Sequence, residues 1–132
     1  MTRRARAPMA PGGVREAKFG ARLAHTEKHI RDKTVEHLIH FLSKQNDMPE
    51  VGMLKIWKGL FYCVWMSDKV PIQNELADTL AKLIHSCKDK VAIQYFCGFT
   101  TTMEREWHGI DRLRMDKFYT LVRHHHPPNS YR

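Results

Sequence analysis

Nine histidines and three cysteines are the residues of this 132-residue chain that could hold a metal or supply a nucleophile. His25 and His29 stand four apart, and His37 and His40 three apart, so each pair shares a helical face on which two imidazoles could bind one metal. No acidic residue or cysteine completes either pair in a recognised pattern, and H-E-x-x-H is absent. The run His124-His125-His126 resembles a metal-binding tract, but it stands directly before Pro127-Pro128. These histidines read as surface residues, with no metal and no cofactor implied. Cys63, Cys87 and Cys97 form no C-x-x-C and leave one over in any disulfide pairing. Each lies inside an apolar helical pattern, so they read as three buried, reduced thiols of a cytosolic or nuclear protein. His85 stands two residues before Cys87, a spacing that points the two side chains to different helix faces and argues against a catalytic pair. Neither a nucleophile elbow, nor a phosphate loop, nor a dinucleotide fingerprint is present. No catalytic residue is assigned, and the chain is not read as an enzyme.

Charge says more. Lys and Arg number 22 against 14 Asp and Glu, a formal charge of +8. Such an excess suits a polyanionic or acidic partner. Much of it lies at the start, where Arg3, Arg4, Arg6, Arg15, Lys18 and Arg22 face Glu16 alone. Two later segments combine cations with aromatics. In the first, Lys55, Lys58 and Lys69 border Trp57, Phe61, Tyr62 and Trp65. In the second, Arg105, Arg112, Arg114 and Lys117 accompany Trp107, Phe118 and Tyr119. These seven cations are the candidate contacts to a protein partner or to RNA. The alternative is a salt-bridged corner, with Asp111 as N-cap and Arg112 paired to Asp116 four residues on.

The elements that must position these residues are helical. Leu, Ile, Val and Phe together make 30 residues, about the share needed for a compact core. Residues 1–13, rich in Arg, Ala, Pro and Gly, read as a disordered basic tail. The body, 14–123, shows no sustained alternation and no Asn-Gly or Asp-Gly turn, so strands are not expected. The first strong helix starts at Thr26 as N-cap, with Ile30, Val35, Leu38, Ile39 and Leu42 on one face. The next, about Glu50 to Met66, is the most apolar and the candidate central helix. A third follows Pro71, a fourth spans about Asp89 to Glu106 with Gly98 weakening its middle, and a fifth follows Asp111, with Met115, Phe118, Tyr119 and Val122 facing inward. About five helices with short loops predict an all-α antiparallel bundle or a HEAT-like repeat array. The longest stretch free of charge, Val91 to Met103, is too short for a bilayer, so no membrane association is expected. Residues 124–132 read as a second disordered tail.

Three blocks resemble the nucleolar ribosomal RNA processing protein one family of large-subunit assembly factors. Phe19 to Arg31 resembles its opening block, through Leu23, Ala24, Glu27, Lys28, Arg31 and Asp32. Trp57 to Lys69 resembles its central block, continuing into Gln73, Leu76 and Ala77. Arg105 to Tyr119 resembles the third. The resemblance spans about residues 17–123. It implies an all-helical domain of the nucleus and nucleolus that binds pre-60S particles and supports pre-rRNA maturation without known catalytic activity. Its partners would be pre-60S assembly-factor proteins and pre-rRNA, with no small-molecule substrate. The family's helical domain continues past the third block, whereas here HHHPPNSYR follows Arg123, as in a truncated form. On that reading the domain is incomplete, and Phe118, Leu121 and Val122 should leave an apolar strip partly exposed. The rival reading is a direct RNA-binding module acting mainly through the basic tail.

Overall fold

Six α-helices and two short 3-10 turns account for most of residues 14–125, the part of the chain that the computed structural model describes; no strand occurs among them. The helices are α1 (Val14–Leu23), α2 (Lys28–Ser43), α3 (Glu50–Met66), α4 (Val70–Lys82), α5 (Asp89–Glu106) and α6 (Met115–His125), with 3-10 turns at Leu83–Ser86 and Trp107–Gly109. The all-α expectation holds, with one helix more than the five predicted. The tail predicted over 1–13 lies outside the described residues, as does 126–132. No helix here is long and apolar enough to cross a membrane.

The centre of the fold is α3, as its composition predicts. It buries Met53, Ile56, Trp57, Leu60, Phe61, Cys63 and Val64, and α1, α4 and α5 pack on it. Trp57 lies 4.9 Å from the Tyr95 ring and 5.2 Å from that of Phe99. Its Nε1 donates to the Tyr95 carbonyl at 2.9 Å, and the Tyr95 hydroxyl donates to the Leu80 carbonyl at 2.8 Å. Buried aromatic polar atoms need such partners. Gly98 makes this stack possible: a Cβ there would sit 2.8 Å from Trp57 Cδ1. The residue that weakens α5 as a helix is the one that lets it lie across the tryptophan. A closer approach joins α1 to α3, where a Cβ on Gly59 would meet the Gly20 Cα at 2.6 Å.

Several expectations are corrected. Thr26 does not cap α2. The helix begins at Lys28, and His25 Nδ1 accepts the Glu27 N–H at 3.0 Å, closing the preceding turn. Trp57 and Phe61 are buried, whereas Trp65 is half-buried at the edge of the core. Only Cys63 of the three thiols is buried; Cys87 is half-buried and Cys97 exposed. The reason for Cys97 is rotational: α5 turns Val91, Tyr95, Gly98, Phe99 and Met103 inward, which leaves position 97 facing out. The exposed strip on α6 does not exist as expected. Phe118 and Leu121 are fully buried and Val122 half-buried, because α4 packs along α6 and Phe61 stacks on Phe118 at 4.8 Å. Tyr119 instead turns out and meets Trp107 edge-on at 5.4 Å. The predicted tail from 124 also starts too early. The helix runs through His125, whose ring is buried, stacked on Phe99 at 4.2 Å and edge-on to Trp57 at 5.6 Å.

Two outcomes follow from this core. Trp57→Ala should cost about 3 to 5 kcal/mol, the usual range for a buried tryptophan, read as a fall in melting temperature by circular dichroism. Burial lowers the His125 pKa below its ordinary 6.5. The unfolded chain therefore takes up this proton at a higher pH than the folded one, and the His125 contribution to stability, complete above about 6.5, declines as pH falls toward the folded value. Melting temperature should drop between about pH 7 and about pH 5.5, and His125→Phe should reduce that drop. An unchanged drop would place the acid sensitivity elsewhere.

Candidate interaction site

A helix ends with carbonyls that its own backbone cannot satisfy. At the end of α3 these groups face three other elements. The Ser67 N–H and hydroxyl both donate to the Val64 carbonyl, at 3.1 and 2.7 Å. Lys117 of α6 donates from Nζ to the Trp65 carbonyl and, at 2.7 Å, to that of Ser67. Gln73 of α4 donates from Nε2 to the Ser67 and Asp68 carbonyls at 3.0 and 3.2 Å. A cation suits the negative end of a helix dipole, and Lys117 supplies it from 50 residues away. Burial, followed by neighbouring Arg114, pulls the Lys117 pKa below its ordinary 10.5, with Asp68 and Asp111 opposing.

Two arginines complete the corner. Arg31 of α2 is buried, and its Nη1 donates to the His25 and Thr26 carbonyls at 2.8 and 2.9 Å, 3.9 Å from Met66 Sδ. Arg114 lies over the Trp65 ring at 4.4 Å and pairs with Asp111. Asp111 Oδ1 also accepts the Arg114 backbone N–H at 3.0 Å, which closes the turn before α6; the helix itself begins only at Met115, so Asp111 is not its N-cap as expected. The expected Arg112–Asp116 pair is not among the ion pairs of the described residues; Arg114–Asp111, three apart, replaces it.

The seven candidate cations therefore separate. Lys69 and Arg114 border an open groove of about 740 Å³ at the corner, together with Thr26, Lys28, Arg31 and Trp65. Lys117 is buried beneath and is a structural cation, because its donors are turned to backbone carbonyls. Lys55 and Lys58 are exposed on the far side of α3, beside a shallow trough formed with Ala17, Ala21, Ala24 and Tyr62. Arg105 is exposed, 3.7 Å from Glu106, and Arg112 is exposed in the turn before α6. Charge and aromatic spacing missed Arg31 and Lys28 as site residues. A signal for Arg31 exists: it shares the register of Thr34, Val35, Leu38 and Leu42, the buried face of α2. A cation on an apolar stripe must reach polar partners inside. Among the described residues no three His, Cys, Asp or Glu side chains converge as metal ligands do.

The fold and this corner define an all-helical domain held together at a cation-capped helix end, with further cations left on its surface. A family profile described as "Nucleolar protein, Nop52" matches residues 14–126, and the chain belongs to that family. It is 46% identical to ribosomal RNA processing protein 1 homolog B and 43% identical to homolog A of Homo sapiens, each over 82% of this chain. It is 32% identical to the ribosomal RNA processing protein 1 homolog of Caenorhabditis elegans, again over 82%. The aligned part spans 15, 25 and 28% of the length of those three relatives. The family is described as that of a nucleolar protein, and these relatives are named for ribosomal RNA processing. All three blocks that carry the resemblance reach the corner: Arg31 from the first, Trp65 to Asp68 and then Gln73 from the second, Arg114 and Lys117 from the third.

The division between structural and surface cations is measurable. Lys117→Met should cost about 2 kcal/mol, since it takes the side-chain donor from the Trp65 carbonyl, leaves that of Ser67 to Gln73 alone and removes charge from a helix C-terminus. Lys58→Met, at an exposed position, should stay within about 0.5 kcal/mol. Equal denaturation midpoints for the two variants would contradict the assignment.

Proposed function

We propose that this chain is a non-catalytic binding domain of a nucleolar assembly factor in large ribosomal subunit biogenesis, acting by occupancy of pre-60S particles. One observation carries the reading. The three blocks that mark the family meet at one corner, and their polar groups there are engaged in holding helix ends rather than in presenting a reactive centre. What remains outward is a set of contacts: Lys69 and Arg114 at the corner, Lys55 and Lys58 beside α1, and Arg105 and Arg112 before α6. Such a surface binds and orders its partners. On this reading the partners are assembly-factor proteins of the particle, with pre-rRNA phosphates as a further ligand of the exposed cations. The relatives named for ribosomal RNA processing support the process; the large subunit is part of the proposal.

The test is co-sedimentation. The tagged 132-residue chain, expressed in cells, should travel with pre-60S particles in a sucrose gradient. Charge reversal at Lys58, Lys69, Arg105 and Arg112 should weaken that association with little change in melting temperature. A chain that stays at the top of the gradient would refute the proposal. Release that rises steeply with salt would instead favour phosphate contacts, which weaken with a log–log slope of about 0.7 to 0.9 per neutralised phosphate.

A further inference from the structure

The corner groove does not end at α3. It continues into a valley of about 280 Å³ between α2 and α4, sharing Lys28, Arg31, Ser67 and Ile72 with it. The two flanking helices do not pack closely on each other; both lean on neighbours and leave α3 as the floor between them. Both also begin at the corner and run away from it, since Lys28, Lys69 and Ile72 line the near part while Ile39, Leu76 and Thr79 line the far part. The walls are apolar through Val35, Ile39, Ile72 and Leu76. The floor is apolar too: Cys63 is buried, and desolvation pushes its thiol up to about 12, so it stays uncharged.

Charge changes sign along this valley. At the corner Lys28, Arg31, Lys69 and Arg114 face Asp68, and although Arg114 is paired with Asp111, Lys69 has no ion pair among the described residues. Farther along, the rim carries Glu36 and Glu75, with Asp32 between. Asp32 is paired with Lys28. Glu36, Glu75 and Lys69 are exposed and have no ion pair among the described residues. Two free carboxylates on one half repel a phosphate backbone laid along the whole valley. An extended strand finds no sheet edge here to join. The core-facing stripes of a second copy's helices are buried in its own domain, and the large apolar side chains it leaves exposed, such as Val51, Ile93 and Leu113, are spread over separate elements. A helix from another protein meets none of these objections, because helix-in-groove docking needs an apolar seam and flanking charges.

We infer that the valley between α2 and α4 is the docking site for an amphipathic helix of a partner protein, acidic in its first turn, apolar at its centre and basic in its last turn. The acidic turn lies at Lys69 and Arg114, the apolar seam on Val35, Ile39, Ile72 and Leu76, and the basic turn against Glu36 and Glu75. That order of charges also stabilises the incoming helix itself, since acids suit its N-terminus and bases its C-terminus. The inference rests on reading the chain as a binding domain, and it adds the partner's chemistry.

The test uses a displayed library of helical peptides of about four turns. Leucines are fixed at i, i+3, i+4 and i+7, and the terminal turns are randomised. Selection on the full 132-residue chain should enrich Asp and Glu in the first turn and Lys and Arg in the last. The best binder should lose about tenfold or more in affinity, about 1.4 kcal/mol, on the combined variant Lys69→Glu, Glu36→Lys and Glu75→Lys. Selection on that variant should enrich the opposite order. Matching circular-dichroism melts keep the comparison valid, since all three positions are exposed. No binder, binders without charge order, or the same order on both chains would overturn the inference. So would a single-stranded RNA that displaces the selected peptides and is itself weakened by Lys69→Glu. Co-sedimentation of the same variant separates the two readings. If it still travels with the particles while the library fails, only the helix site falls; if the library succeeds while the chain never meets a particle, only the ribosomal reading falls.

Discussion

Everything at the heart of this domain depends on one constraint: the central helix ends inside the protein, and its last carbonyls must find donors there. A carbonyl that is buried without a donor costs about 1 to 3 kcal/mol. Lys117, Gln73 and the Ser67 hydroxyl meet that requirement, one from α6, one from α4 and one from the break itself. Each bond also fixes the approach of the element that makes it. The corner is thus where α3, α4 and α6 acquire their mutual positions, and Arg31 ties in the start of α2 through the carbonyls of the preceding loop.

The other end of the problem is close packing. Gly20, Gly59 and Gly98 stand where helices cross. Gly20 and Gly59 share the α1–α3 crossing and Gly98 marks that of α5 on α3; at both the nearest neighbour is backbone or the indole, which cannot rotate away as a flexible side chain would. Trp57 then fills the space that Gly98 leaves, and its ring gathers Tyr95, Phe99 and His125 around it. The bulky and the absent side chains are complementary parts of one packing solution. The stack also holds the end of α6: the His125 imidazole stacks on Phe99 and meets the indole edge-on.

How much of this is legible in the sequence follows from the same contacts. The bounds of α3 and α5, Glu50–Met66 and Asp89–Glu106, are the predicted ones, because both helices carry dense apolar stripes between clear breaks. Helix α1 is not legible as a separate element. It is ten residues long and meets α3 largely through glycine and alanine, with Phe19 and Leu23 as its large core-facing side chains, a pattern too short to stand apart from the basic segment before it. Lys117 and Arg31 are hard to place for a different reason. Their partners are backbone carbonyls on distant elements, and a carbonyl has no letter in the sequence. Counting charge finds Lys117 but assigns it to the surface. The apolar strip expected on α6 rested on a missing successor, whereas α4 and the aromatic end of α3 already supply the cover for Phe118 and Leu121.

The reach of Lys117 has a temporal side. The carbonyls it serves belong to residues 65 and 67, and 50 to 52 residues separate donor from acceptor. While the chain emerges from the ribosome, α1 to α4 can form and touch, but the end of the central helix stays open until α6 arrives. Contacts of such sequence separation slow folding, because the intervening chain must be ordered before they can close. The end of the central helix is therefore completed only once α6 has been synthesised, whatever the order in which the earlier helices form.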